Sequence, residues 1–311
     1  MLGDCNPDVL VLGGDVTPAI GQQEKLVDAI SLDVGGSAAI TAVAAARLGF
    51  SVALVAAVGA DPAGAFMLDQ LSREGVDVGA VVIRDETPTG MTVALSRGGD
   101  RAILTALGAM TSLTAADVPG RLLARARHVH VSSYFLLEES LGPGVAGLLA
   151  AARAAGATTS LDTNWDPSGR WGDERLSAAI AQADLLLPNE SEALRLAGAT
   201  SLDDAAGILA AAGRRLVVKL GERGALCADG AARHQVGVEP VTPADTTGAG
   251  DCFNAGLMAG LLQGLPLPEA AALGCAVGAL STAAPGGTAS APDLNAAAGL
   301  AALAKITSLH S

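Results

Sequence analysis

Aromatic side chains are scarce in this chain: Phe, Tyr and Trp make up 2% of its 311 residues, although 50% of the sequence is hydrophobic. A core with so few rings has to be assembled from Ala, Val and Leu, and the 39 glycines then serve close helix contacts and turns. Positive charge is also thin. Lysine occurs only at 25, 219 and 305, and 32 acidic against 19 basic residues leave a formal charge of -13. Such a balance lacks the clustered Lys and Arg that nucleic acid or an anionic membrane requires, and argues against both as partners. Cysteine is limited to Cys5, Cys227, Cys252 and Cys275, with no Cys-x-x-Cys and no secretory leader, so reduced thiols and a cytoplasmic location are expected. Mean hydropathy is +0.43, yet polar punctuation interrupts every apolar run before the ~20 residues a membrane span needs.

What is present alternates between short apolar runs and helical stretches. Asp8 to Gly13 contains Val-Leu-Val-Leu and reads as a buried strand, Ser51 to Val58 and Val78 to Ile83 as further strands, and Asp61 to Glu74 as a helix capped by Asp61 with Pro62 in its first turn. Later, His128 to Ser132, Thr158 to Leu161, Asp184 to Leu187 and Leu216 to Val218 are strand-like, separated by helical patterns such as Val145 to Ala155 and Leu176 to Gln182. This order predicts an α/β protein whose parallel sheet is covered on both faces, with ligands at the carboxyl ends of the strands. Two strand-rich excursions interrupt it, 15–33 and 87–107, the second with a hairpin signal at Arg97-Gly98-Gly99-Asp100. Residues 1–14, 34–86 and 108–311 are assigned to the body, and the two excursions to a small separate sheet or to solvated hairpins.

The chemistry concentrates between Asp245 and Gly256, Asp-Thr-Thr-Gly-Ala-Gly-Asp-Cys-Phe-Asn-Ala-Gly. Gly248, Ala249 and Gly250 allow a tight turn, and the apolar run to Leu262 is the helix it opens. Unpaired amides and the dipole at such a helix start attract an anion. Asp251, in the first turn, is either an ordinary acidic helix-start residue or a base beside the anion site. Asn189 and Glu192 have capping-box spacing, Lys219 ends an apolar strand as a snorkelling cation or a ligand group, and Asn164 is a polar residue at a strand end. His128 and His130 share one strand face and read as packing or hydrogen-bonding residues. No Gly-x-x-x-x-Gly-Lys-[Ser/Thr] occurs, which excludes a P-loop. Gly248-Ala249-Gly250 lacks the third glycine and the position of a dinucleotide fingerprint.

The 245–256 stretch resembles the C-terminal signature of the ribokinase-like (PfkB) carbohydrate kinases. Gly35-Gly36-Ser37, Arg47-Leu48-Gly49, Asp162-Thr163-Asn164, Asn189-Glu190-Ser191-Glu192 and Lys219-Leu220-Gly221-Glu222-Arg223-Gly224 follow that family's order over nearly the whole chain. The resemblance implies a three-layer α/β sandwich with a mostly parallel central sheet and a small β-sheet lid, which in the family covers the sugar site and often makes homodimer contacts. It implies transfer of a phosphoryl group from ATP with Mg2+, with Asp251 as base and Gly248, Ala249 and Gly250 as anion hole. Asn164, Asn189, Glu192, Lys219, Gly221 and Gly224 fall on nucleotide-side positions, and Asp245, Thr247, Gly286 and Ser290 on those of a potassium site. Gly35 and Gly36 fall at the sugar.

Two sugar contacts of the family are not found by counting. An aspartate five residues after the first strand's final glycine would be Pro18 or Ala19, counted from Gly13 or Gly14, and an asparagine four past Gly36 is Ile40. Asp15, Asp33, Ser37 and Tyr134 are candidate substitutes. The acceptor is expected to be a sugar or a nucleoside, chosen by the two excursions closing over it. A ligand-binding regulator of the same fold is the alternative.

Overall fold

The computed structural model describes residues 1–97 and 100–309, so the Gly98-Gly99 hairpin tip lies outside the described residues. The chain opens with β1 (Asn6–Leu12), β2 (Ala29–Gly35), α1 (Ser37–Arg47), β3 (Val52–Ala53), β4 (Ala57–Gly59), α2 (Pro62–Arg73), β5 (Val76–Asp77), β6 (Val82–Arg84), β7 (Met91–Arg97) and β8 (Asp100–Ala106). It continues through α3 (Gly120–Arg125), β9 (His128–Val131), α4 (Gly142–Ala154), β10 (Thr158–Leu161), α5 (Glu174–Gln182), β11 (Leu185–Leu186), α6 (Glu190–Ala197), α7 (Leu202–Leu209) and β12 (Arg215–Lys219). Last come β13 (Ala225–Asp229), β14 (Ala232–Val236), α8 (Ala249–Leu262), α9 (Leu267–Ser281), α10 (Leu294–Ala301) and β15 (Ile306–Leu309).

The larger sheet has the order β15-β14-β13-β12-β11-β10-β9, parallel from β9 to β12 and antiparallel from β12 to β15. Leu2 extends it by parallel bridges to Val131 and Val55. Alternation along the strands divides the core in two. Leu186, Leu216 and Val218 face Leu148, Leu149, Leu176 and Ala206 of the α4–α7 layer. Leu185, Leu187 and Val217 face Phe253, Leu257 and Ala271 of α8 and α9. Sheets flanked on both sides by helices are the three-layer α/β architecture. Asp61 caps α2 by accepting from Gly64 N at 2.8 Å, with Pro62 in the first turn, as its sequence dictates. His128 and His130 are hydrogen-bonded through Ser160, both at 2.7 Å, a packing role.

The small sheet has the order β2-β1-β7-β8. It contains β1, which the sequence reading placed in the body, and the body's own first strand shrinks to the bridge at Leu2. The reason is visible in the register. Val9 pairs with Leu32 and Val93, Val93 with Leu104, and Val11 with Ile30 and Leu95, so the outer face is apolar. Asp8, Asp33 and Thr92 share the inner face with the fully buried Leu10. A strand apolar on both faces reads as doubly buried even when one face is open.

Candidate active site

Gly248 is the N-cap of α8 at φ 72°. A Cβ there would come within 2.7 Å of Gly287 Cα and 3.0 Å of Ile40 Cγ2, so only glycine fits the turn. Asp251 follows in the first helical turn, buried to 9% exposure. From the end of β12, Lys219 reaches the same place: its Nζ lies 3.6 Å from where a Gly250 Cβ would stand. The ammonium is paired with Asp162, at the end of β10. Asn254 lies one turn beyond Asp251 and donates to Asp162 Oδ2 at 2.6 Å, with its own Oδ1 3.4 Å from Lys219 Nζ. The structure thus gives Asp162 and Asn254 the task of holding Lys219 beside the turn. The sequence flagged neither for that.

The electrostatics follow from this crowding. Burial pushes the Asp251 carboxyl well above the usual range against the pull of Lys219, and the charges of Asp162 and Asp4 push it further. Glu192 is raised to about 7, by burial first and by Asp162 second. Lys219 stays firmly protonated because Asp162 and Glu192 outweigh the cost of its burial. Asn189 and Glu192 do form a capping box: Glu192 N donates to Asn189 Oδ1 at 2.9 Å, and Asn189 N to Glu192 Oε2 at 2.8 Å. The capped helix start adjoins Lys219 through the Asn189 bridge.

On the other side of Asp251, the buried Asp4 caps α1, accepting from Ser37 N and Ala38 N at 3.0 Å each. Asn164 sits in the left-handed region at φ 55°, which asparagine tolerates. Its Oδ1 accepts from Ser133 N at 2.7 Å and its Nδ2 donates to Ser37 Oγ at 3.0 Å. Asn164 therefore joins Ser37 to the start of the Ser133 loop. The count for the sugar aspartate also changes. The body's first strand runs through Leu2, its final glycine is Gly3, and five residues on stands Asp8, buried and lying against Gly35 so closely that no Cβ fits there. Asn6 Nδ2 donates to Asp8 Oδ1 at 3.2 Å and to Thr92 Oγ1 at 3.0 Å. The count from Gly13 or Gly14 began in the small sheet; the spacing Gly3-x-x-Asn6-x-Asp8 was the available signal. Ile40 remains an apolar replacement, packed on Gly248 and Gly287.

Other candidates separate from this centre. Asp15 pairs with Lys25 in an exposed loop. Tyr134 is 1% exposed in the core, its hydroxyl 3.5 Å from the Cβ position of Gly142 and unpartnered among the described residues. Gly224 is required by the Val236 carbonyl, which leaves no room for a side chain, whereas Gly221 at φ 60° faces open space. Asp245 accepts from Thr247 N at 3.0 Å, Thr247 Oγ1 at 2.8 Å and Gly286 N at 2.9 Å, tying the anion turn to the loop that ends near Ser290. Asp33 accepts from Ser31 Oγ at 2.8 Å and faces Gly286 from the small sheet.

Comparisons with known proteins agree with the geometry. Residues 6–294 match the model of the pfkB family carbohydrate kinases. The chain is 32% identical over 272 residues to a 2-dehydro-3-deoxygluconokinase of Bacillus subtilis, covering 84% of each chain. It is 31% identical over 310 residues to a fructokinase of Salmonella typhimurium, covering 93% of this chain and 99% of that one. A solved structure, described as a putative ribokinase II of E. coli in complex with ATP and Mg+2, superposes with a TM-score of 0.83 at 24% identity over 96% of this chain and 97% of that one, which speaks to the fold. With the family's model matched across nearly its whole length, this chain belongs to the pfkB family of carbohydrate kinases.

Proposed function

We infer that the protein transfers the γ-phosphate of ATP to a sugar hydroxyl at the turn before α8, and that Asp251 takes the hydroxyl's proton. The observation that carries this reading is the buried, charge-averse Asp251 carboxyl in the first turn of a glycine-bounded helix start, with the Lys219 ammonium beside Gly250. A carboxyl with a raised pKa is a stronger base once deprotonated, and amides with a cation opposite them stabilise charge on the moving phosphoryl group. ATP would supply the phosphoryl group, and its magnesium would neutralise part of the phosphate charge. Lys219 and the open backbone at Gly221 suit the phosphates, while Asn189 and Glu192 suit the hydrated magnesium. Asp162 and Asn254 are positioning residues for Lys219.

For the acceptor we assign Asp8, Ser37 and Asn164 as the hydroxyl-binding groups at Gly35-Gly36, with Asp33 at the margin. Tyr134 and Asp15 are not carried forward, because one hydroxyl is buried in the core and the other side chain is engaged by Lys25. Potassium is assigned to the loops joined by Asp245, with Thr247, Gly286 and Ser290. A phosphorylation screen over neutral sugars, sugar acids and nucleosides, run in potassium and in tetramethylammonium buffers, tests the reading. We expect phosphorylation of a sugar and faster turnover in potassium. ATP-dependent product from no acceptor would favour a ligand-binding regulator, product from nucleosides alone would overturn the sugar assignment, and equal rates in both buffers would remove the potassium site.

A further inference from the structure

In a chain so poor in aromatics, both tryptophans stand in one cluster at the carboxyl end of β10. Trp165 directly follows Asn164, whose side chain joins Ser37 and Ser133. Its ring meets that of Trp171 edge-on at 4.8 Å and 84°. The Arg195 guanidinium carbon lies 5.1 Å from the Trp165 centroid and 5.5 Å from that of Trp171. The intervening loop is held stiff by Asp166, which is 2% exposed and accepts from Ser168 N at 2.7 Å and Trp171 N at 2.6 Å. That stiffness comes at a local cost: Trp171 sits at φ 59°, and its indole N–H is buried without a partner among the described residues.

Arg195 lies on α6, three residues after Glu192, so the two side chains leave the same face of the helix about 5–6 Å apart at Cβ. Arg195 thus stands one turn along α6 from Glu192, on the side of Trp165, which directly follows Asn164. The cation beside Gly250, Lys219, is already committed to Asp162. Arg195 is different. Its contacts among the described residues are the two indole rings, with no carboxylate paired to it. Aromatic clamping fixes a guanidinium without neutralising it, and leaves its fork of donors directed outward. In a molecule of net charge -13, a cation without a paired carboxylate is a favourable point for an anion to dock. Trp165 is 50% exposed, which leaves ring surface for the carbon side of a bound sugar.

We propose that Arg195, held by Trp165 and Trp171, selects acceptors that carry an anionic group, a carboxylate or a phosphate, and docks that group at the mouth of the site. This rests on the kinase reading above and deepens it by naming the acceptor class. Arg195 binds the substrate at the end remote from the reacting hydroxyl, so its loss acts on acceptor affinity.

The test compares kcat/KM for 2-dehydro-3-deoxygluconate, fructose, ribose and fructose 6-phosphate in the wild type, Arg195→Gln and Arg195→Lys. The wild type should prefer an acidic acceptor, and the better of the two acids identifies carboxylate or phosphate as the docked group. Arg195→Gln should lower kcat/KM for that acceptor about 10- to 100-fold through KM, the range expected for a charged hydrogen-bonded pair. Arg195→Lys, which keeps the charge but loses the planar fork, should recover part of the loss. A wild type that favours neutral sugars would overturn this inference alone. So would an Arg195→Gln variant that loses as much on neutral as on acidic acceptors, or whose KM for ATP rises as much as its acceptor KM. Failure to phosphorylate any acceptor would instead remove the kinase reading, and this inference with it.

Discussion

Asp251 and Glu192 are carboxyls kept where a negative charge is unfavourable, and that has a measurable consequence for stability. Glu192 has its folded pKa raised from 4.5 to about 7. Below pH 4.5 it is protonated in both folded and unfolded states and costs nothing. As pH rises through 7 the folded protein must accept a charge that the unfolded chain accepts easily, and stability is lost over that window. Glu192→Gln keeps an acceptor for Asn189 N but cannot ionise. Urea unfolding without magnesium should therefore show the variant gaining stability on the wild type as pH rises from 4.5 to 8. Curves that stay parallel across that range would contradict the assignment. At this scale the sequence was legible where the chemistry is contiguous, as at Gly248 to Asp251. It was not legible where a residue's role depends on a distant partner: nothing local tells that Asp162 and Asn254 grip Lys219, or that Asn164 turns back to Ser37.

Among the elements, the small sheet is the least ordinary. Its two excursions were readable from strand-rich segments and a hairpin signal, but β1 was not, because Leu10 faces inward and Val9 and Val11 outward, giving an apolar run without alternation. The hairpin of β13 and β14 also went unread, since its strands are short and their antiparallel pairing with β12 departs from the alternation that revealed β9 to β12. The outer face of the small sheet carries Ile30, Leu32 and Leu104 at 65%, 45% and 64% exposure. Contiguous apolar surface of this kind on a sheet marks an association face. We propose that two copies of the chain pair through it by a two-fold contact, as the family resemblance implies. Sedimentation velocity should find a dimer, and Leu104→Lys should shift it to monomer with the circular dichroism of the fold retained. A wild-type monomer at every concentration tested, or a dimer untouched by Leu104→Lys, would remove the proposal.

Across the whole molecule, the site is where a sheet of this topology places one. Asp162 and Asn189 follow the carboxyl ends of the parallel strands β10 and β11, Lys219 closes β12, and α1 and α8 direct their first turns at the same point. Within the small sheet, Asp8 of β1 lies against Gly35 at the end of the neighbouring β2. Lys219, Asp162, Asp4 and Ser37 come from separate elements, and only the fold brings them to Asp251. The most direct measurement is single-turnover phosphoryl transfer by wild type and Asp251→Asn, with saturating ATP, magnesium and the acceptor found by screening. Loss of a positioned base should lower the rate by about two to four orders of magnitude, with ATP binding and the thermal transition retained. A variant that transfers phosphate at near-native rate would contradict the account at its centre and remove Asp251 from the chemistry.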